Sequence, residues 1–169
     1  MTASKTYENF PVWMPLMSNL LSLSIYATGA LILMGYGVIL AIIYLMFCVG
    51  VEFRIMKKSC VNCYYYGKDC GIGKGRICSL LFKKGDPAKF AERTISKSDL
   101  VPDFLVAIFP LGGGIVLLMR NFSIGLTALV ALLALLVTVG NFLVRTSYAC
   151  KYCKQREIGC PAEKLFLKR

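Results

Sequence analysis

The stretch IGLTALVALLALLVTVGNFLV, Ile124–Val144, has no charged residue and is dominated by leucine, valine and alanine. A helix rises about 1.5 Å per residue, so roughly 20 such residues cross the ~30 Å hydrocarbon core of a bilayer. This is the clearest membrane signal in the chain. Apolar residues make up 57%, mean hydropathy is +0.63 and only 17% of residues are charged, values of a polytopic membrane protein rather than a soluble domain.

Working outward, Arg120-Asn-Phe-Ser123 reads as a short turn, and a third span is expected from Pro102-Asp103 to about Met119. Pro110 and Gly112–Gly114 inside it should kink or break the helix, or mark a close crossing of another helix, and Asp103 should cap its start. Residues 11–53 are too long for one span and suit two. Gly35 and Gly37 allow a reversal between a helix near 13–33 and another near 37–56, with Trp13 and Tyr36 at the interfaces. Ser18, Ser22, Tyr26 and Gly29 share a face of the first helix, where small and polar residues serve close packing or, alternatively, a polar pathway. The first ten residues carry Glu8, and no small-residue cleavage site follows, so this segment is expected to stay in the mature protein.

Charge placement orients the spans. Net charge is +11. Eleven Lys and Arg lie between Arg54 and Lys97 and seven lie in 145–169, whereas the opposite loops hold only Arg120. The positive-inside rule therefore puts both termini and both basic segments in the cytoplasm, at the cell membrane if the source is prokaryotic. Within the basic loop, Ile77, Leu80 and Leu81 form a short apolar stripe that Gly85 should end. Asp86-Pro87 should cap and open another short helix carrying Phe90. Lys83 and Lys84 beside Leu81 suggest contact with anionic lipid headgroups.

One pattern occurs twice, each time after an apolar hairpin: Cys60-x2-Cys63-x6-Cys70 and Cys150-x2-Cys153-x6-Cys160. Laying 11–74 over 101–164 superposes the hairpins and all three cysteines, with Gly50 on Gly140 and Lys74 on Lys164. The expected fold is an all-α integral membrane protein with four transmembrane helices arranged as two parallel-repeat hairpins, each followed by a cytoplasmic cysteine-rich metal knuckle. In order these are an N-terminus 1–10, a hairpin 11–56, a basic loop 57–100, a hairpin 101–145 and a basic tail 146–169.

Thiols in a cytoplasm stay reduced, so disulfides are disfavoured, and Cys-x2-Cys lets two thiolates of one turn reach one ion. Cys60, Cys63, Cys70, Cys150, Cys153 and Cys160 are the expected ligands, with Cys78 a possible addition. Cys48, inside a span, reads as a small buried hydrophobe. The glycines of Gly71-Ile-Gly73-Lys-Gly75 should supply the positive-φ turns of a knuckle. The chain has no histidine, which excludes His-based catalysis and His-ligated metal or haem.

The two halves resemble the ligand spacing of the fungal binuclear zinc-cluster family, in which six cysteines hold two zinc ions. The resemblance covers those six positions only, and here a membrane hairpin separates the halves, so it implies the site and not the family's DNA-binding role. Other partitions stay open: Cys60, Cys63, Cys150 and Cys153 around one ion, or Cys60, Cys63, Cys70 and Cys78 within the loop. The expected cofactor is zinc, one or two ions. An iron–sulfur cluster is the alternative, to which Cys160-Pro161 is similar in its Cys-Pro ending.

Three functions fit. The first is a scaffold or accessory subunit whose zinc-clamped knuckles lock the helix ends and present a basic platform to a membrane or cytoplasmic protein partner, with Tyr64-Tyr65-Tyr66 covering the site or meeting the partner. The second is a membrane redox subunit with an iron–sulfur or dithiol centre. The third is a soft-metal transporter using Met14, Met17, Met34, Met46 and Cys48; it ranks last because the spans are expected to lack buried carboxylates. Nucleic acid is disfavoured, since juxtamembrane Lys and Arg are the ordinary topology signal. Enzymatic activity has little support, with no paired carboxylate or activated nucleophile visible.

Overall fold

The computed structural model describes residues 6–93 and 95–161. Lys164, its expected correspondence with Lys74, and the rest of the tail from 162 onward lie outside the described residues, as do residues 1–5. The described chain is helical, with no strand. Its helices are α1 (Trp13–Leu33), α2 (Val38–Lys58), α3 (Gly75–Leu81), α4 (Pro87–Glu92), α5 (Lys97–Arg120), α6 (Ile124–Leu135) and α7 (Gln155–Gly159). After α6 the helical path continues in wide π turns over Leu136–Gly140 and Phe142–Cys150. Four helical stretches are long and apolar enough to cross a membrane: Trp13–Leu33, Val38–Asn62, Ser98–Arg120 and Ile124–Cys150.

The chain divides into two compact units. One comprises Leu20–Glu52 and Lys97–Asn141; the other takes the described residues of Met1–Asn19, Phe53–Ser96 and Phe142–Arg169. All seven cysteines outside the spans' apolar interior belong to the second unit, and Cys48 to the first.

In the first unit Ile32, Leu33, Cys48, Pro110 and Leu133 are fully buried. Gly29 lets Tyr44 of α2 lie against α1: a Cβ there would come 2.5 Å from the Tyr44 hydroxyl. The small-residue face of α1 is thus used at Gly29 for close packing. One expectation is corrected beside it. Glu52 of α2 is a half-buried carboxylate inside an apolar helix, accepting a 2.5 Å hydrogen bond from the Tyr26 hydroxyl. A phenol from the facing helix makes its position tolerable, because a buried polar group costs little once hydrogen-bonded.

Helix α5 also differs from expectation. It begins at Lys97 rather than Pro102, with Asp99 in its first turn, so Asp103 sits inside the helix and not at its cap. It runs unbroken through Pro110 and Gly112–Gly114. Proline lacks the N–H that would bond the carbonyl four residues back; that carbonyl, Val106, accepts a 2.8 Å hydrogen bond from the Tyr44 hydroxyl instead. The glycines permit close crossings: a Cβ on Gly114 would stand 2.5 Å from Val130 of α6 and 3.1 Å from Ile32 of α1. In the fourth helical stretch the path continues past the expected end at 144 to Cys150. Thr138 and Asn141 donate side-chain hydrogen bonds to the carbonyls of Ala134 and Val137, competing there with the regular backbone ladder. The expected match of Gly50 with Gly140 has no common packing: Gly140 lies against Leu21, whereas nothing stands within 4 Å of a Cβ on Gly50.

Candidate metal centre

The first cysteine pattern begins just beyond α2. Cys60–Asn62 makes a single 3₁₀ turn, closed by the Cys63 N–H on the Cys60 carbonyl at 3.2 Å, and Tyr66 N–H then reaches the Cys63 carbonyl at 3.0 Å. The second pattern repeats the arrangement: Cys153 N–H to the Cys150 carbonyl at 3.3 Å and Arg156 N–H to the Cys153 carbonyl at 3.1 Å. The same spacing has therefore folded into the same two turns.

Each pattern places backbone donors on sulfur. The Cys70 sulfur accepts from Lys74 N–H at 3.1 Å and Gly75 N–H at 3.3 Å. Of the three glycines expected to give positive φ, only Gly73 does, at 82°. Gly75 instead opens α3, where a side chain would collide with the carbonyls of Tyr65 and Lys68. Helix α3 ends at Leu81 with Phe82 as its C-cap, short of the expected stop at Gly85, while Asp86 caps α4 by accepting from Ala88 N–H at 3.0 Å, as its sequence dictates.

The two patterns meet. Tyr64 N–H donates to the Gln155 side-chain oxygen at 2.7 Å, and Lys154 N–H donates to the Tyr65 hydroxyl at 2.9 Å. The two bonds are reciprocal: the residue after the second cysteine of each pattern bonds the side chain two residues after the second cysteine of the other. Tyr65 donates in turn to the Tyr7 carbonyl at 2.5 Å, and Tyr7 N–H reaches the Tyr152 carbonyl at 3.0 Å. Phe10, Met14 and Tyr65 form a buried cluster on which Cys63, Cys70 and Cys153 pack. The N-terminal end of α1 holds the loop, with the Ser18 hydroxyl on the Gly71 carbonyl and the Asn19 amide on the Gly73 carbonyl. Glu8 pairs with Lys154, an interaction that lowers the Glu8 carboxyl and raises the Lys154 ammonium. Sequence reasoning did not find Tyr7, Phe10 or Gln155 as supports of the site; their only signal was aromatic and amide character in otherwise polar segments.

Burial sets the thiol chemistry. It pushes Cys63 up to about 11; the backbone N–H of Tyr65 opposes the rise, and the neighbouring Cys70 and Cys160 add to it. It pushes Cys153 up to about 12, opposed by Gln155 N–H and reinforced by Cys63, Cys150 and Cys160. Cys78, fully buried, is raised by burial and then by Cys70, and its thiol points to the Met56 carbonyl at 3.8 Å. Cys60 has Cys70, Cys78 and Cys63 as electrostatic neighbours, together with Lys74, a buried cation. Only Cys150 is exposed. Among the described residues, no three Cys, Asp or Glu side chains converge as a ready-made metal cage. What the fold provides is seven thiols in one compact unit, with Cys63, Cys70 and Cys153 packed on one buried cluster and two backbone N–H groups donating to the Cys70 sulfur. Comparison with family models, with curated proteins and with solved structures finds no match for this chain.

Proposed function

We propose that this chain is a multi-pass membrane scaffold whose basic, cysteine-rich unit binds zinc on the cytoplasmic side and presents a metal-clamped platform to a protein partner. The observation that carries the reading is the reciprocal pair of hydrogen bonds between the two cysteine patterns, Tyr64 to Gln155 and Lys154 to Tyr65. It brings the ends of two distant segments together around thiols of matching spacing. Zinc supplies folding energy directly, about 10–16 kcal/mol in small zinc peptides, to a unit whose buried cluster is only a few residues deep. Two backbone N–H groups meet the Cys70 sulfur and the buried Lys74 lies beside Cys60, the kind of donors and charge that support a metal-bound sulfur. Exposed Leu80 and Leu81 next to Lys83 and Lys84 suit an anionic lipid surface at the same face.

Anaerobic purification followed by metal analysis and an optical spectrum tests this. Stoichiometric zinc without visible absorbance supports the scaffold. A coloured protein with iron and sulfide replaces it with an electron-transfer subunit, and a metal-free protein removes both.

A further inference from the structure

We infer that α3 is an interfacial foot: the face formed by Ile77, Leu80 and Leu81 lies in the headgroup–acyl boundary of the bilayer, and Lys57, Lys83 and Lys84 hold anionic lipid headgroups around it. The inference deepens the lipid contact named above; it rests on the membrane reading and is independent of zinc.

Side chains at i, i+3 and i+4 share one face of a helix. In α3 these are Ile77, Leu80 and Leu81, which are 41, 85 and 50% exposed and lie outside the four stretches long enough to span. The fold fixes this face outward. On the inner side, Gly75 N–H donates to the Cys70 sulfur at 3.3 Å and the Gly75 carbonyl accepts from Gly67 N–H at 3.0 Å. Cys78 is fully buried, and the Phe82 carbonyl accepts from the Tyr66 hydroxyl at 2.6 Å. The helix cannot roll its leucines inward without breaking these attachments, so their cover must come from outside.

One ring contact sets the depth. Phe82 follows Leu81 directly and meets Phe53 edge-on, with centroids 6.2 Å apart and planes at 76°. Phe53 belongs to α2, inside the apolar stretch Val38–Asn62, and is 44% exposed. The C-terminal end of α3 therefore lies beside the emerging end of a span, where a bilayer passes from acyl chain to headgroup. An apolar face at that level is covered by lipid itself.

Charge selects the lipid. Lys83 and Lys84 come just after the stripe and are exposed. Lys57 is also exposed and stands four residues after Phe53, one turn further along the same face of α2. Such stems lay their methylenes along acyl chains and raise their ammonium groups to the headgroups, where anionic lipid attracts them. An acidic protein matches the charge equally well, but the seat of Phe82 on a lipid-exposed ring favours the bilayer.

The test uses tryptophan emission of the full chain in vesicles with brominated acyl chains, made of phosphatidylcholine alone or mixed with phosphatidylserine. Leu80→Trp on a Trp13→Phe background is expected to be blue-shifted and quenched several-fold more strongly when phosphatidylserine is present. Lys57→Glu, Lys83→Glu and Lys84→Glu together should remove that difference. Leu132→Trp on the same background, exposed in the fourth helical stretch, should be quenched in both lipids. An unquenched Leu132→Trp overturns the membrane reading and this inference with it. If Leu132→Trp is quenched and Leu80→Trp is not, the inference alone is overturned: red emission then means that water meets α3, and blue emission that a second copy or another protein covers it. Quenching of Leu80→Trp that is equal in both lipids, or that survives the charge reversal, overturns the role given to the lysines.

Discussion

The hydroxyl of Tyr44 donates a 2.8 Å hydrogen bond to the carbonyl of Val106, the acceptor that Pro110 leaves vacant in α5. A proline inside a membrane helix is tolerated when a neighbouring group re-satisfies the freed carbonyl. Tyr44→Phe is therefore expected to destabilise the apolar unit by about 1 kcal/mol, within the range for interhelical hydrogen bonds in membranes. Pro110→Ala restores the backbone donor, so Tyr44→Phe should cost measurably less on that background. Equilibrium unfolding in mixed micelles gives the double-mutant cycle; strictly additive effects would contradict the coupling.

Gly29 faces the same tyrosine. A Cβ at 2.5 Å from the Tyr44 hydroxyl must displace a ring whose position is held by Val106. Gly29→Ala should destabilise by about 1–3 kcal/mol through overpacking. Gly50→Ala, with nothing within 4 Å, should leave the midpoint unchanged or raised. The pair of unfolding midpoints checks the assignment, and equal effects at both glycines would argue against it.

Tyr65 and Gln155 orient the two cysteine patterns without supplying sulfur. Tyr65→Phe removes bonds to both Lys154 and Tyr7, and Gln155→Ala removes those to Tyr64 and Gly159. Each is expected to weaken zinc affinity by roughly 10–100-fold with ion stoichiometry retained, the usual cost of losing support around ligands. Competition titration with a chromophoric chelator measures it.

Removing metal should loosen both patterns together. A strong chelator is expected to raise amide hydrogen exchange over 60–75 and 150–160 in parallel, and zinc should reverse it, while the helices of Leu20–Glu52 and Lys97–Asn141 stay protected. Exchange rising in one pattern alone would mean that the two fold independently.

Orientation can be read with an impermeant maleimide. Lys84→Cys lies in the basic segment and Phe122→Cys in the opposite turn, and both positions are exposed. Intact cells should label Phe122→Cys above the native background, and Lys84→Cys should label only after lysis. The reverse pattern inverts the topology.

Much of this architecture was legible along the chain. Uncharged runs such as Ile124–Val144 declare spans because apolar length against bilayer thickness is a one-dimensional property. The Asp86-Pro87 cap was equally local. The expected kink or break at Pro110 is absent because Tyr44 repairs the freed carbonyl, while Gly114 makes the close crossing that the sequence offered as the alternative, with Val130 and Ile32 against it. Glu52 was overlooked because its donor, Tyr26, comes from another helix.

The cysteine patterns show the division most clearly. Sequence by itself determined that two sets of three thiols recur at one spacing, each after an apolar hairpin, because ligand spacing within a turn is set by the local backbone. Only the tertiary structure decided that the two patterns are hydrogen-bonded to each other and that Cys63, Cys70 and Cys153 pack on one buried cluster. That outcome depends on Tyr7, Tyr65 and Gln155, whose hydrogen bonds close segments some ninety residues apart, and contacts of that range leave no periodic trace in a chain.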